Sequence, residues 1–437
     1  MGNQLLQAKY SSVGINHLIR NGSDYAPMLI SYTRDNRSIK KPFMFLNFWV
    51  KNEGFIELIK QNWTADFMAN PFILFHHKLK KVKAALVQWS KANFGNIFQE
   101  IEDFEEVIKV KEAQFQSLPT PTNRQELHKV QRRRKRMQIR RIQGADGNWI
   151  EEEEGIIAEA IRCYTSQFTK EEDPKDFEIL IHLPRMIFED DNLWFEVEPT
   201  KEEEIIGEDV TNMIKDFFCG AELPKFFTYT NLVLLPKKEM VNTFYDMRPI
   251  SLSNFVNKIF SRLIHGRLVS KLSDIISLNR SGFVKDGSIM ENILLTQEIV
   301  SDIRLRTKDA NVIIKLDMAK ACDRVSWLFL TKVLKQMGFS KKIIDMVYRI
   351  VKNNWYSVLV NGQQQGFFQS TRGVKQGDPL SPTLFILAAE VLYRSLNALH
   401  QKVQFKGFGM PKWSPKVNHL AYVDEMIIFT SADVVSL

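Results

Sequence analysis

Two apolar segments far apart in the chain each present carboxylates at one end, and this feature constrains the fold most. The first, 313–317, ends at Asp317, and the second predicts a strand, a turn and a strand with Asp424 and Glu425 at the tip. Carboxylates on neighbouring strands can hold two Mg²⁺ about 3.5–4 Å apart for in-line displacement at phosphorus. Taken singly, each segment favours a plainer interpretation, in which Asp317 caps the following helix and Asp424 and Glu425 form an ordinary hairpin turn.

A segment between these two favours the metal-binding interpretation. Asn361 and Gly362 follow an alternating strand pattern at 356–360, which predicts a tight β-hairpin. The run 376–382 then opens a long apolar helix over 384–399, because its glycine lets backbone approach a ligand closely and its two prolines fix the start of the helix. A Gly/Pro turn before a helix is usually structural, but this particular run is uncommon.

Together these segments resemble the reverse transcriptase of plant LINE-type (non-LTR) retrotransposons, and the resemblance covers nearly all 437 residues. It implies an α+β fold with the fingers and palm of a right-hand polymerase, in which helices back an antiparallel palm sheet, and a mostly helical N-terminal extension. It also implies RNA-templated synthesis of DNA onto a primer from deoxynucleoside triphosphates. The stretches that carry it are 234–238, 248–252, 281–283, 315–318, 360–362 and 372–382.

The resemblance divides the chain into four segments. They are the end of an endonuclease at 1–39, a helical connector with a basic run at 40–143, a connector to the fingers at 144–222, and the fingers and palm at 223–437. No thumb is expected, and stretches that the family carries near positions 130 and 204 are missing. Tyr25 stands where the endonuclease has a histidine. A phenol with a pKa of about 10 is a poor general base at neutral pH, so we expect a non-catalytic remnant there.

The connector contains a helical pattern and a run of five consecutive basic residues. Apolar residues recur at helical spacing over 79–108 and predict a long amphipathic helix, or a helical hairpin bent near Gly95. The basic run is interpreted as a sequence-independent contact with nucleic-acid phosphates, with a nuclear import signal or a solvated face as alternatives. Its residues are Arg132, Arg133, Arg134, Lys135 and Arg136.

The resemblance also implies the residues of a catalytic site. Asp317 and Asp424 match the metal ligands, which would hold two Mg²⁺, with Mn²⁺ as a possible substitute. Glu425 is assigned to the same site, although a second aspartate is usual there. Its additional methylene would move the carboxylate by more than about 1 Å in a site that tolerates about half of that. We therefore expect impaired chemistry rather than its certain loss.

Five further residues are assigned to the incoming nucleotide: Lys237, Arg248, Cys322, Gln376 and Gly377. Lys237 and Arg248 match cations that clamp the triphosphate and neutralise developing charge, although a lone Lys or Arg is most often a solvated surface residue. Cys322 replaces an aromatic residue similar to a steric gate at the sugar 2′ position, so exclusion of ribonucleotides should weaken. Alternatively, Cys322 only packs at a helix start. Gln376 and Gly377 would border the base pair being formed.

Composition is compatible with these partners without requiring them. The 59 Lys and Arg exceed the 51 Asp and Glu, giving a net charge of +8 that suits a polyanionic ligand. The three cysteines have no metal-ligand spacing. No apolar stretch approaches the roughly 20 residues of a membrane-spanning helix and no signal-peptide pattern is seen, so we expect a nuclear or cytoplasmic protein that does not enter membranes.

Two hypotheses of different class follow. One is an RNA-directed DNA polymerase of a non-LTR retrotransposon that acts by two-metal nucleotidyl transfer. The other is a catalytically inert retrotransposon-derived fragment that at most binds nucleic acid. The missing stretches favour the inert fragment, and so do Tyr25, Cys322, Glu425 and the pair Asp286-Gly287, which replaces a Gly-Arg pair of the family. We expect the polymerase fold with little or no activity.

Overall fold

The computed structural model describes two packing units, Met1–Asp66 with His77–Asn96, and Phe67–His76 with Ile97–Leu437. Tyr25, the basic run, Asp286-Gly287 and Asp424 lie outside the described residues. The described residues are 12–17, 28–33, 50, 52–94, 139–169, 172–198, 207–238, 240–277, 280–281, 289–301, 303, 310–410, 414, 416–422, 425–433 and 436.

The first unit contains a strand pair and two helical segments. β1 (Ser12–His17) pairs antiparallel with β2 (Met28–Thr33). Asn52 caps helix α1 (Glu53–Asn62), because its side-chain oxygen accepts from the backbone N–H of Gly54 at 3.0 Å. Helix α2 (Pro71–Phe94) contributes its residues from 77 onward to this unit. The helix predicted over 79–108 is thus present as far as Phe94 and begins eight residues earlier than predicted, while 95–108 lie outside the described residues.

In the second unit a short strand pair precedes a long helix. β3 (Ile142–Gln143) pairs antiparallel with β4 (Trp149–Ile150). Helix α3 (Glu153–Phe168) starts with two acidic residues at its positive end. Its buried face packs on the strands that follow it in the chain. The core they share includes Ile156, Ala160, Cys163, Tyr164, Phe168, Leu232, Tyr356 and Val358.

A four-stranded mixed sheet forms one wall of the unit, in the order β10-β9-β5-β6. Its strands are β5 (Tyr229–Pro236), β6 (Met247–Ser253), β9 (Trp355–Val360) and β10 (Gln363–Gln369). β5 pairs antiparallel with β6 and parallel with β9. Asn361 and Gly362 join β9 to β10 with positive φ angles of 49° and 82°. Two such residues in succession are the signature of a type I′ turn, so the predicted hairpin is confirmed.

A second four-stranded sheet has the order β7-β11-β12-β8. Its strands are β7 (Arg280–Ser281), β8 (Asn311–Asp317), β11 (His419–Tyr422) and β12 (Glu425–Ser431). β12 pairs antiparallel with both β11 and β8, which confirms the two predicted strands and places them beside the strand that ends at Asp317. The short β7 adds a parallel pairing with β11 that the sequence did not predict.

Helices fill the space around the sheets. Ile299 of helix α8 (Ile289–Ser301) packs with Leu420 and Phe429 of the second sheet in one core cluster. The predicted helix over 384–399 is confirmed as α11, which begins at Ser381 with Pro382 in its first turn. The α+β prediction is confirmed. No helix in the described ranges combines the length and apolarity needed to cross a membrane. The helices are α4 (Glu189–Glu196), α5 (Gly207–Phe218), α6 (Lys225–Thr228), α7 (Phe255–Ile275), α8 (Ile289–Ser301), α9 (Trp327–Met337), α10 (Lys341–Lys352) and α11 (Ser381–Ala398).

Candidate active site

Two carboxylates face each other across neighbouring strands. Asp317 is the last residue of β8 and Glu425 is the first residue of β12, and they are direct partners in the antiparallel register. Direct partners have Cβ atoms about 4.5–5.5 Å apart, so the two carboxyl groups can reach one cation between them. Asp317 is exposed and the Glu425 side chain is 46% exposed. A dissolved ion therefore has access to both groups.

The chemistry of this donor pair fits a hard divalent cation. Carboxylate oxygens are the ligands that Mg²⁺ prefers, and Mg²⁺ is commonly held by one or two carboxylates together with substrate phosphates. In the part of the chain that the structure describes, no group of three or more His, Cys, Asp or Glu residues surrounds a metal position. Asp317 and Glu425 are thus the described carboxylates at this sheet end, and the sequence adds Asp424 between β11 and β12.

A lysine also contacts this pair. Lys315 lies two residues before Asp317 on β8, and its Nζ is 3.1 Å from Oε1 of Glu425. Both side chains are substantially exposed, so the ion pair stabilises the fold by about 0–1 kcal/mol. A divalent cation can displace so weak a partner, but the lysine competes with it for Glu425.

A cavity of about 720 Å³ lies beside Asp317. Its size is that of a small-molecule site, for which about 300–1,000 Å³ is usual. The structure brings together in its lining Asp317 and all five residues that the sequence assigned to the nucleotide. These are Lys237, Arg248, Cys322, Gln376 and Gly377.

The cationic wall of the cavity comes from the first sheet. Lys237 follows β5 and Arg248 lies on β6, and both side chains are exposed. The connection between the strands is fixed at Asp246. Burial alone would raise the pKa of Asp246, but hydrogen bonds from Lys238 and from the backbone N–H groups of Thr243 and Asn242 lower it to about 2. The ionised carboxylate therefore holds this connection in shape.

The segment after β8 forms another part of the lining. Cys322 is half-buried at the start of a 3₁₀ turn, Cys322–Arg324, and its carbonyl accepts from the N–H of Val374 at 2.8 Å. The neighbouring residue, Gly373, approaches the same segment even more closely. Gly373 has φ +84°, and a Cβ there would lie 2.5 Å from the carbonyl oxygen of Asp323. Glycine is required at this position, which joins the segment after β8 to the 372–382 run.

Gln376 and Gly377 form the floor between these walls. The carbonyl of Gln376 accepts from the N–H of Ser251 on β6 at 2.9 Å, and Gly377 has φ +93°. Two buried charges flank them. Burial lowers the pKa of Lys375 to about 8 and raises that of Asp378, while the attraction between the two ions acts against both shifts. The run is thereby fixed to the first sheet before the helix begins.

Sequence reasoning missed a buried carboxylate at this floor. Asp323 is 1% exposed, and its Oδ2 accepts from Gln167 Nε2 at 2.7 Å. Gln376 Nε2 donates to Oδ1 of Asp323 at 3.0 Å. Burial raises the pKa of Asp323 to about 6, although the hydrogen bonds from Gln376 and Gln167 act in the opposite direction. Asp323 therefore sets the orientation of the Gln376 amide.

A family comparison agrees with this geometry. Residues 235–435 match the model of the reverse transcriptase (RNA-dependent DNA polymerase) family. The match begins at the end of β5 and ends just beyond β12, so it includes nearly all of the residues that line the cavity. Residues 235–435 are thus similar to a reverse transcriptase domain.

Three proteins with similar sequences indicate the class of protein to which the chain is similar. An uncharacterized 149 kDa protein of transposon TX1 from Xenopus laevis is 28% identical over 53% of this chain and 17% of its own length. A retrovirus-related Pol polyprotein from the type-1 retrotransposable element R2 of Popillia japonica is 26% identical over 51% of this chain and 30% of its own. An uncharacterized mitochondrial protein, AtMg01250, from Arabidopsis thaliana is 40% identical over 15% of this chain and 55% of its own. The first two of these relatives are proteins of transposable elements, and the chain spans less than a third of the length of each.

Proposed function

We propose that this domain carries out RNA-directed DNA synthesis by metal-assisted nucleotidyl transfer, at a rate reduced by its own substitutions. One observation carries the proposal: the cross-strand pair Asp317 and Glu425 stands at the end of a sheet, and Asp317 lines a cavity together with Lys237 and Arg248. A carboxylate and two cations around one cavity suit a substrate that brings both a metal and a triphosphate. The proposed ligands are an RNA template, a DNA primer and deoxynucleoside triphosphates.

The proposed reaction forms one bond and breaks one. The 3′-oxygen of the primer attacks the α-phosphorus, its proton passes to solvent, and the bond to the bridging oxygen breaks to release pyrophosphate. Asp317 and Asp424, with Glu425 beside them, would hold Mg²⁺ or Mn²⁺. When bound, such cations lower the pKa of the attacking hydroxyl and neutralise charge on the phosphates.

The chain's own groups would position the nucleotide. Lys237 and Arg248 compensate the charge of the triphosphate from the wall formed by the first sheet. Cys322, which also lines the cavity, is smaller than an aromatic gate and leaves room at the sugar. Gln376, held by Asp323, presents its amide to the cavity in one orientation. Closer kinship to plant LINE elements is part of the proposal and is supported by the sequence stretches that suggested it.

A second candidate function is a domain that binds primer–template without catalysis. The contact between Lys315 and Glu425 favours it, because an ammonium group occupies a carboxylate that a metal would need. Both candidate functions include binding of nucleic acid, but only the polymerase forms a new bond between primer and nucleotide.

Single-nucleotide primer extension distinguishes them. A DNA primer on an RNA template is incubated with the protein and the matching deoxynucleotide, first with Mg²⁺ and then with Mn²⁺, and Asp317→Asn serves as the inactive control. Weak incorporation that the control lacks supports the polymerase proposal. Tight primer–template binding with no incorporation in either metal supports the inert candidate, and incorporation that survives Asp317→Asn contradicts the proposed site.

A further inference from the structure

Gln376, the glutamine at the nucleotide cavity, ends a chain of hydrogen bonds that begins at a lysine. The chain consists of Lys320, Gln167, Asp323 and Gln376, and all four residues line this cavity. Gln167 comes from the last turn of α3, Lys320 and Asp323 come from the segment after β8, and Gln376 precedes α11. We call these four side chains the polar relay.

The direction of the polar relay follows from its first member. An ammonium group can only donate, so the contact between Nζ of Lys320 and Oε1 of Gln167 makes that oxygen the acceptor. Nε2 of Gln167 is then the donor to Oδ2 of Asp323, at 2.7 Å. Asp323 also accepts from Gln376, whose Nε2 lies 3.0 Å from Oδ1 and 3.1 Å from Oδ2. Each amide therefore has one orientation, which is set by the group before it.

The orientation of Gln376 decides which of its atoms a nucleotide meets. Its nitrogen is bound by Asp323, so its oxygen is the amide atom left for a ligand in the cavity. An amide oxygen accepts hydrogen bonds and cannot donate them. Two groups of a nucleotide could donate to it, a sugar hydroxyl and the amino group that guanine presents on the minor-groove edge of its base pair. An A·T pair presents only acceptors on that edge.

We propose that Gln167 and Asp323 are positioning residues for nucleotide selection, which direct the amide oxygen of Gln376 to the nucleotide so that the site favours a triphosphate with a hydrogen-bond donor there. Both residues act through Gln376, and Lys320 gives the polar relay its direction. The inference rests on the proposed function, because it takes this cavity as the nucleotide site.

Protonation of Asp323 should turn the last amide round. A protonated carboxyl group must donate its proton to an acceptor, and the oxygen of Gln167 is already bound to Lys320. The oxygen of Gln376 is the other acceptor in the polar relay, so this amide rotates and presents its nitrogen to the nucleotide. Burial raises the pKa of Asp323 to about 6, although the hydrogen bonds from Gln376 and Gln167 act against it, so mild acid suffices for the change.

The other ionisable groups around Asp323 keep their charge state at that pH. Burial raises the pKa of Tyr164 on α3 and that of Tyr356 on β9, so both phenols stay neutral. Burial lowers the pKa of Lys320 from its usual value near 10.5, and the charge of Asp323 opposes that shift. The exposed Lys237 adds a positive charge that favours the ionised form of Asp323.

Binding of nucleotides to a terminated primer tests the polar relay without bond formation. A DNA primer that ends in a dideoxynucleotide is annealed to an RNA template whose next base is cytosine, in the presence of Mg²⁺. Competition with radiolabelled dGTP in a filter-binding assay gives the Kd of two analogues relative to that of dGTP. Deoxyinosine triphosphate lacks the guanine amino group and dideoxyguanosine triphosphate lacks the sugar hydroxyl, so the analogues distinguish the two donors. The assay runs from pH 5.5 to 7.5, below the pKa of about 8 to which burial lowers that of Lys375.

For one analogue, the Kd relative to dGTP should be roughly three- to tenfold larger at pH 7.5 than at pH 5.5, the usual value of one hydrogen bond. Asp323→Asn should give the low-pH ratio throughout, because the asparagine nitrogen donates to Gln376 as a protonated carboxyl does. Gln167→Leu should move the change to higher pH, since the ionised Asp323 loses a hydrogen bond that favours its charge. Gln364→Leu, which changes an exposed glutamine of β10, is the matched control and should behave like the wild type.

Three results would overturn the inference. They are wild-type ratios that do not depend on pH, a pH dependence that persists in Asp323→Asn, and a change that occurs at the same pH in Gln167→Leu as in the wild type. The wild-type titration needs no variant, so it decides the question even if Gln167→Leu does not fold. Because the terminated primer excludes incorporation, a protein that shows these ratios but is inert in primer extension would refute the polymerase proposal and leave the polar relay standing. A wild type that binds no triphosphate would contradict both.

Discussion

The ammonium of Lys315 lies 3.1 Å from the carboxylate of Glu425, which is itself the cross-strand partner of Asp317. A side chain shorter by one methylene at position 425 would stay nearer to the β12 backbone and to Asp317. The longer glutamate instead reaches along β8 to the lysine. The unusual residue therefore changes both the distance to a bound metal and the competition for its ligand.

Glu425→Asp should raise single-nucleotide incorporation by on the order of tenfold, because a misplacement of about 1 Å at a reacting centre can cost up to about a hundredfold. Lys315→Gln should lower the Mg²⁺ concentration that gives half-maximal rate, since it removes the competing cation. Rapid-quench primer extension over a Mg²⁺ series measures both effects. If neither change alters rate or metal dependence, Glu425 is not the chemical defect.

Cys322→Tyr should leave the rate with deoxynucleotides similar and increase discrimination against ribonucleotides by roughly tenfold or more. The change restores bulk in the cavity wall without touching Asp317 or Glu425. Single-turnover kcat/KM values for matched deoxy- and ribonucleotides measure it, with Cys322→Ser as a control that adds no bulk. Combined with Glu425→Asp, the effects should be roughly additive, because the two residues act on different parts of the substrate. Unchanged discrimination would contradict the location of the sugar.

Asp323→Asn should change how stability depends on pH. Burial raises the pKa of Asp323 to about 6, so the folded protein keeps a proton that the unfolded chain releases near pH 4. The free energy of unfolding of the wild type should therefore fall by up to about 3 kcal/mol relative to Asp323→Asn as pH rises from 4 to 6, and then level off.

Urea denaturation at pH 4, 5, 6 and 7 measures this difference. Asp190→Asn, which changes an exposed carboxylate on α4, is the control. A difference between wild type and Asp323→Asn that does not depend on pH, or that favours the wild type as pH rises, would contradict the expected burial.

Gly373→Ala should destabilise the domain by about 3 kcal/mol or more, since a Cβ would lie 2.5 Å from the Asp323 carbonyl at φ +84°. Gly220→Ala is the matched control, because Gly220 has φ +105° but nothing within 4 Å of an added Cβ. It should cost about 1–2 kcal/mol, the backbone contribution alone. Equal losses in chemical denaturation would show that the close contact does not matter.

Neutralising the five charges at 132–136 should flatten the slope of log affinity against log salt by a few units, at about 0.7–0.9 for each phosphate that the protein no longer neutralises. The basic run lies outside the described residues, so this prediction comes from the sequence alone. Binding of unrelated oligonucleotides should weaken to the same degree, because no base-reading group accompanies the charges. An unchanged slope would assign the run to a solvated face or an import signal.

Local patterns predicted the parts of the fold that local physics controls. The Asn361-Gly362 hairpin, the strands β11 and β12 and the helix after Pro379 each depend on neighbouring residues, and the structure has all of them. The contact of Gln167 with Asp323 joins residues 156 positions apart, and no local pattern encodes it. The parallel pairing of β5 with β9 could not be predicted from the sequence either, because the alternation of apolar and polar residues identifies a strand but not its partner. The nucleotide-site residues came from the family resemblance, and their meeting in one cavity required the fold.

The position of β5 between β6 and β9 has a consequence for synthesis on the ribosome. β5 and β6 emerge first and can pair at once, but the other edge of β5 stays open until β9 has been translated. At about 5–20 residues per second, the intervening stretch takes on the order of ten seconds. During that time an apolar strand edge is available to any other nascent chain. Ribosome stalling before β9 should therefore yield aggregates, whereas stalling after β10 should not.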